Sequence, residues 1–359
     1  MTPPTIDPEL ETQLRARLHA VADQAPPSDP EAVLASLQPH RRRWAPALLT
    51  AAAAAALVAG ALTVHNVSNQ PRPAPATTTD ALPAIADGWR WEAYHNVAVA
   101  VPDSWGYGVS GIPYCALTNP ADRTTVGRPD AVPLLGCPPE GIQPDSVAIA
   151  GAYVDFYPAR DLEHRIPKAA DGDTTGDRTT RVIGTTAIDV QARQPLRDQI
   201  LATITALPAS GVNGCQRSNE LISNPSWRPD PASLPAPKDV QHVAVCTYDT
   251  GADGGLRAAT QMPAPAAART VEALSAAPEG GTPDRGECSD DYGDRVTVLR
   301  LTVADDTAHD VVLRYAGCAN RGIDDGTTVR ALTKTALADV LIGAHRPDGY
   351  GTELSPVMP

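Results

Sequence analysis

Large aromatics and lysine are scarce in this sequence, and each shortage excludes something. One Phe, five Trp and nine Tyr are spread over 359 residues. Trp89-Arg90-Trp91 and Trp105-Gly106-Tyr107 therefore read as core material rather than as an exposed ligand platform. Only Lys168, Lys238 and Lys334 supply lysine, and 42 acids outweigh 29 bases for a net charge of −13. Without clustered positive charge to displace counterions from phosphates, a nucleic-acid partner is excluded. No Cys precedes residue 115, which rules out a lipid-modified N-terminal Cys.

Catalytic signatures are missing as well. The nearest text to a Gly-x-Ser-x-Gly elbow, Gly108-Val109-Ser110-Gly111, has the wrong spacing. No two of the eight His stand one helical turn apart, and no phosphate-binding Gly-x-x-x-x-Gly-Lys loop exists. The stretch Asp171-Gly172-Asp173-Thr174-Thr175-Gly176-Asp177 opens like a calcium loop. It then places Thr175 at the fifth position and Val182 at the twelfth, where a bidentate Glu belongs, so it reads as a solvated turn. Asp290-Asp291-Tyr292-Gly293-Asp294 and Asp324-Asp325-Gly326 read as turns in an acidic surface. The expectation is a protein that is not an enzyme, with no catalytic residue, no cofactor and no metal.

What is present begins with topology. Trp44 to Val64 is 21 residues without a charge, preceded by Arg41, Arg42 and Arg43. At about 1.5 Å per residue such a helix crosses the ~30 Å bilayer core. The positive-inside rule then predicts a cytoplasmic segment at 1–43, a transmembrane helix at 44–65 with Trp44 at the inner interface, and an extracytoplasmic bulk. Shorter signal peptides and a buried Ala-rich helix are the competing readings of the same run. The expected location is the cell membrane, with a lipid bilayer as partner of that one helix.

Cys115, Cys137, Cys215, Cys246, Cys288 and Cys318 all fall on the outer side of this layout, where disulfides persist. Their spacing lacks the close pairs of a zinc site. Six Cys allow 15 connectivities. Sequential pairing, Cys115 with Cys137, Cys215 with Cys246 and Cys288 with Cys318, keeps each bridge within one unit.

Along the chain, Leu10, Leu14, Leu18 and Val21 recur at helical spacing, and a second short amphipathic helix opens at Ser28-Asp29-Pro30-Glu31. Residues 9–38 thus offer a docking segment for a cytoplasmic protein, with a loosely helical tail as the competing reading. Residues 66–87 form a Pro/Ala/Thr-rich linker. The first outer unit, 88–208, shows strands at Val97–Val101 and Val147–Tyr157. A hairpin follows around Gly184, and a closing helix carries Leu196, Ile200, Ile204 and Leu207. The second unit, 209–345, predicts strands at His242–Tyr248, Gly255–Gln261, Val296–Val303 and Asp310–Tyr315, and helices at Pro265–Ala276 and Val329–Ile342. Asn213 to Lys238 is a Pro-rich linker or an ordered loop fastened by Cys215, and the tail from His345 onward, with 346–359 as its disordered part, reads as unstructured. The expected class is α+β: one transmembrane helix, then two units of antiparallel strands each closed by a helix.

The Leu10-x-x-x-Leu14-x-x-x-Leu18 segment, the Arg41-Arg42-Arg43-Trp44 stop and the Cys-bearing part with Trp89-x-Trp91 and Val99-x-Val101-Pro102-Asp103-Ser104-Trp105 resemble uncharacterised actinobacterial single-pass membrane proteins. Some of these look like partners of extracytoplasmic-function sigma factors, which implies an anti-sigma-like regulator. Residues 1–43 contain no Cys and only His19 and His40, a departure from the zinc-containing anti-sigma pattern. The stretch from Val97 to the Leu196–Leu207 segment is faintly similar to PsbP-like domains. The expected function is a membrane-anchored extracytoplasmic sensor or regulatory binding protein of unknown envelope ligand. The alternative is an envelope binding or scaffold module merely tethered by its anchor.

Overall fold

The chain enters the described structure through a hairpin, β1 (Trp89–Tyr94) and β2 (Val97–Pro102). Every residue from Val97 to Val101 is buried, because this hairpin has packing on both faces. Successive side chains of a strand point to opposite sides. Val97, Val99 and Val101 accordingly pack with Val126, Val154, Phe156 and Ile188, while Ala93 and Ala98 meet Tyr248, Leu256 and Val298.

The first of those sides is a six-stranded mixed sheet. Its strands are β3 (Gly106–Val109), β4 (Thr124–Arg128), β5 (Ala152–Pro158), β6 (Thr174–Thr175), β7 (Arg178–Ile183) and β8 (Thr186–Gln191), in the order β3-β4-β5-β8-β7-β6. A short helix α1 (Leu196–Leu201) follows, and β9 (Thr205–Ala206) joins the small sheet beside β2. The second side is an antiparallel sheet of β10 (Val240–Asp249), β11 (Gly255–Met262), β12 (Arg295–Val303), β13 (Ala308–Arg314), β14 (Gly322–Asp324) and β15 (Val329–Arg330), ordered β11-β10-β12-β13-β14-β15. Its outer face carries Val243, Val245, Leu299, Leu301, Val311 and Leu313 against the helices α2 (Ala264–Ala276) and α3 (Lys334–Leu337). The result is four layers: mixed sheet, small sheet, antiparallel sheet, helices.

This computed structural model describes residues 81–111, 124–130, 151–164, 169–281, 294–317 and 321–347, all within one compact unit spanning residues 74–359. Leu10, Leu14, Leu18, Val21, Arg41, Arg42, Arg43, Trp44, Cys115, Cys137, Cys288 and Cys318 lie outside the described residues.

The expected class is contradicted. The described chain is mostly β, and its longest helix has 13 residues. No helix among the described residues is long and apolar enough to cross a membrane, and the run at 44–64 lies outside them. Two local causes account for the surplus of helix in the expectation, and a third difference lies in the strands. After Leu201, Thr203 Oγ1 donates to Ile200 O at 2.7 Å and accepts from Ala100 N at 2.9 Å; the chain is drawn into β9, so Ile204 and Leu207 leave the helix. In Val329–Ile342, Val329 and Arg330 pair with β14, and the helix starts only at the Thr333 cap, whose hydroxyl accepts from Ala336 N. Leu337, Val340 and Leu341 are still buried. Last, β3, β4 and β5 run parallel rather than antiparallel.

Asn213 to Lys238 is ordered. Cys215 and Cys246 form a disulfide that fastens it to β10, the pair expected from sequence order. Asp324 and Asp325 are also not surface turns. Both are buried, with Arg228 forked onto Asp324 at 2.7 and 2.8 Å and Arg330 on Asp325 at 2.6 Å. Asp171 does behave as a turn residue, accepting from its own hairpin at Val182 N.

Arg128 joins the three sheets. It ends β4, donates through Nη2 to Glu92 Oε2 at 2.7 Å and to Ala93 O at 3.0 Å in β1, and donates through Nε to Arg257 O at 2.7 Å in β11. Arg128→Met should therefore destabilise the protein by about 3 kcal/mol, since it removes one of the two guanidiniums that hold the buried Glu92 carboxylate. Urea denaturation measures this, and adding Glu92→Gln to the same variant should recover part of the loss.

Candidate functional site

The β1–β2 hairpin closes through two residues, His95 and Asn96. Two-residue hairpins need positive φ at their turn, usually supplied by Gly, Asn or Asp. Here His95 takes φ 51, a cost that a non-glycine residue meets only where its surroundings hold it. Those surroundings come from both large sheets. His95 N donates to Leu256 O in β11. Asn96 Nδ2 donates to Ile183 O at 2.8 Å and its Oδ1 accepts from Thr186 at 2.7 Å, both beside the β7–β8 turn. Gly184 has φ 58, and a Cβ there would meet Asn96 Nδ2 at 2.5 Å, so the two turns interlock only because that residue is glycine.

Held this way, His95 lines a cleft of about 1300 Å³. Its Nε2 lies 3.0 Å from Asp249 Oδ2, and its ring stacks on Tyr94 at 4.1 Å. Asp249 ends β10 and also faces Arg257 Nη1 at 3.3 Å and Arg295 Nε at 3.8 Å. The same two arginines converge on Asp130 Oδ2, Arg257 Nη2 at 3.0 Å and Arg295 Nη1 at 2.9 Å. Arg257 Nη2 additionally donates to Pro129 O. Charges this deeply buried are stable only as a paired set.

Their ionisation follows from the pairing. Burial opposes the Asp249 carboxylate, but the His95 hydrogen bond, Arg257 and Arg295 outweigh it and hold its pKa below the usual carboxylate range. Burial likewise works against the Arg295 guanidinium, and Tyr315, Asp130 and Asp249 more than compensate, raising its pKa. The Tyr94 hydroxyl is pushed up by burial first and by Asp249 second. The wall is therefore a fixed array of guanidinium and carboxylate groups.

Around this array the cleft is polar. Arg217 enters from the ordered loop with one hydrogen bond, to Leu207 O at 3.0 Å, and Ser218, Asn219 and Glu220 follow it. Arg160 pairs with Asp253 across the rim between the turn after β5 and the β10–β11 turn. Both partners are well exposed, so the pair is screened by solvent. No hydroxyl or thiol among the described residues hydrogen-bonds to His95, whose side-chain partner is Asp249. Nor do the described residues include a group of three or more His, Cys, Asp or Glu arranged to hold a metal ion.

None of these groups was singled out from sequence. The signal that existed was charge inside apolar strands: Glu92 within the Trp-rich strand, Arg257 in β11, Arg295 at the start of β12. No known family profile, curated protein or solved structure matches the chain, so its geometry is the ground for a functional reading.

A second histidine stands behind the array. His345, where sequence reading ended the ordered chain, is buried. Its Nδ1 lies 2.8 Å from Thr247 Oγ1 and its Nε2 2.8 Å from Thr260 Oγ1. Burial, and then the charge of Arg128, push its pKa down to about 3. A folded-state value below the ordinary ~6.5 means that His345 stabilises the fold fully above that pH and progressively less as pH falls toward 3. The urea midpoint should accordingly drop between pH 6.5 and 4.5, before carboxylates such as Asp249 titrate. His345→Gln should lower stability at pH 7 yet flatten that slope.

Proposed function

We propose that the protein is a binding module that takes a small polar ligand carrying charges of both signs in the cleft around His95. The observation that supports this reading is the preformed wall of Arg257, Arg295, Asp130 and Asp249, on which His95 is held by a strained turn. An apolar ligand would strip water from those groups and return no hydrogen bond, whereas a zwitterion can match both signs. Arg217 and Glu220 add one charge of each sign at the entrance, neither fixed by an ion pair among the described residues. Of the two expectations from sequence, the binding module draws on this cleft. The regulatory reading draws on residues 9–38, which lie outside the described residues.

Isothermal titration with zwitterions (free amino acids and dipeptides), with amine-only and carboxylate-only analogues and with neutral sugars tests the proposal. A zwitterion should bind measurably more tightly than either half-analogue. His95→Asn, which keeps a residue tolerant of positive φ, should weaken binding about 10-fold or more, as expected for one charged hydrogen bond. Stability should move by less than about 1 kcal/mol, since the polar replacement keeps the turn. Equal affinity for zwitterions and neutral sugars, or unchanged binding in both His95→Asn and Arg217→Ala, would refute it.

A further inference from the structure

The cleft around His95 is large for a single amino acid. At about 1300 Å³ it exceeds the roughly 300–1,000 Å³ of ordinary small-molecule sites, so a free amino acid would leave most of it to water. Its walls come from well-separated segments: the hairpin turn at 95–96, the turn after β5 at 158–160, the β7–β8 turn at 184–185, the ordered loop at 217–223 and the β10–β11 turn at 250–255. A ligand that fills this space touches both large sheets and the loop.

The lining narrows what that ligand is. Among the described residues, Tyr94 supplies its one aromatic ring besides His95. That ring is buried, stacked on His95 at 4.1 Å and packed against Phe156 at 5.6 Å, so it offers no platform for a planar group such as a nucleobase. Five carboxylates line the cleft beside four guanidiniums, which is not the one-signed lining that gathers a phosphate. Among the charges stand small neutral polar groups, the hydroxyls of Thr185 and Ser218 and the amide of Asn219, all solvent-accessible. Peptide groups suit such a lining. Each brings one donor and one acceptor that need partners once water is displaced, and hydroxyls and amides serve as both.

We propose that the cleft takes an extended peptide of at least three residues, with one charged end at the His95 array and the chain running to Arg217 and Glu220 at the entrance. The inference rests on the binding reading above and adds to it the class of ligand. Three extended residues span about 10 Å, which carries a terminus away from the array. Arg217 is the group that reads this length. It stands on the loop that the Cys215–Cys246 disulfide fastens to β10, and its side chain is held by Leu207 O at 3.0 Å.

Full-length protein is titrated calorimetrically with glycine, diglycine, triglycine and 8-aminooctanoate, which has the backbone length and both charged ends of triglycine but no amide. Triglycine should bind about 10-fold or more tightly than either diglycine or 8-aminooctanoate. Arg217 is exposed and lies outside the buried array, so Arg217→Ala should keep the fold and the diglycine affinity while abolishing the gain from diglycine to triglycine. His95→Asn should weaken both peptides alike. Equal binding of glycine and triglycine, or of 8-aminooctanoate and triglycine, would overturn the peptide assignment and leave the zwitterion site standing. A triglycine gain that survives Arg217→Ala would overturn the course of the chain toward the entrance. Binding of none of the four would overturn the zwitterion reading and this inference with it.

Discussion

Arg128 is the group on which the layered arrangement depends. Three sheets meet at one seam, and backbone pairing does not cross it as a ladder: β1 and β11 lie side by side without forming a common sheet. The carbonyls along that seam still need donors. Arg128 supplies them at Arg257 O and Ala93 O, Asn213 Nδ2 at Ala259 O and Trp91 O, and His95 N at Leu256 O. Side chains, with one backbone bond at His95, thus do at the seam what strand pairing does elsewhere. A long guanidinium can serve three partners in different layers, which no apolar residue of similar volume can do.

The seam explains why a polar cleft opens beside a well-packed core. Where β1 turns into β2, apolar packing stops and the chain is tied instead by Asn96 to the β7–β8 turn and by His95 to β10 and β11. Buried ion pairs rarely stabilise a fold more than apolar replacements of the same shape. Four arginines and three acids gathered at one junction therefore argue for specification: they fix how the sheets sit against one another and present charge to the space between them. A His held at φ 51 beside that array points the same way, since Asn or Gly would make the turn at lower cost.

How much of this was legible in the sequence differs by scale. Period-2 alternation in Val97-Ala98-Val99-Ala100-Val101 located β2, and alternation in Val243 to Tyr248 and Val296 to Leu301 located β10 and β12. It did not reveal that both faces of β2 are covered, because Ala on the second face reads as neutral when it is in fact a close contact to Tyr248 and Leu256. Helical spacing misled at Leu196–Leu207 and Val329–Ile342. There i, i+3 and i+4 burial is met by successive turns and short strands, and a threonine hydroxyl, at Thr203 or Thr333, decides where helix stops or starts. The site was hidden for another reason. Its members, at 95, 130, 249, 257 and 295, come from a hairpin turn, the loop after β4 and three strands near their ends, and converge only after three sheets assemble, so no local spacing announces them.

The cleft shares a wall with a smaller cavity beside Tyr107 and Arg346, because Asp130 and Arg257 line both. Asp130 accepts from Arg257 and Arg295, and Arg257 divides its nitrogens among Asp130, Asp249 and Pro129 O. A ligand carboxylate drawn to Arg257 from the cleft would compete with Asp249 and Asp130 for the same nitrogens. Such competition is local to the charged array. It requires no movement of the sheets, only redistribution of hydrogen bonds within one guanidinium. Arg128, which donates to the backbone carbonyl of Arg257, fixes where that guanidinium begins, so the residue that holds the layers together also sets the position from which both cavities are read.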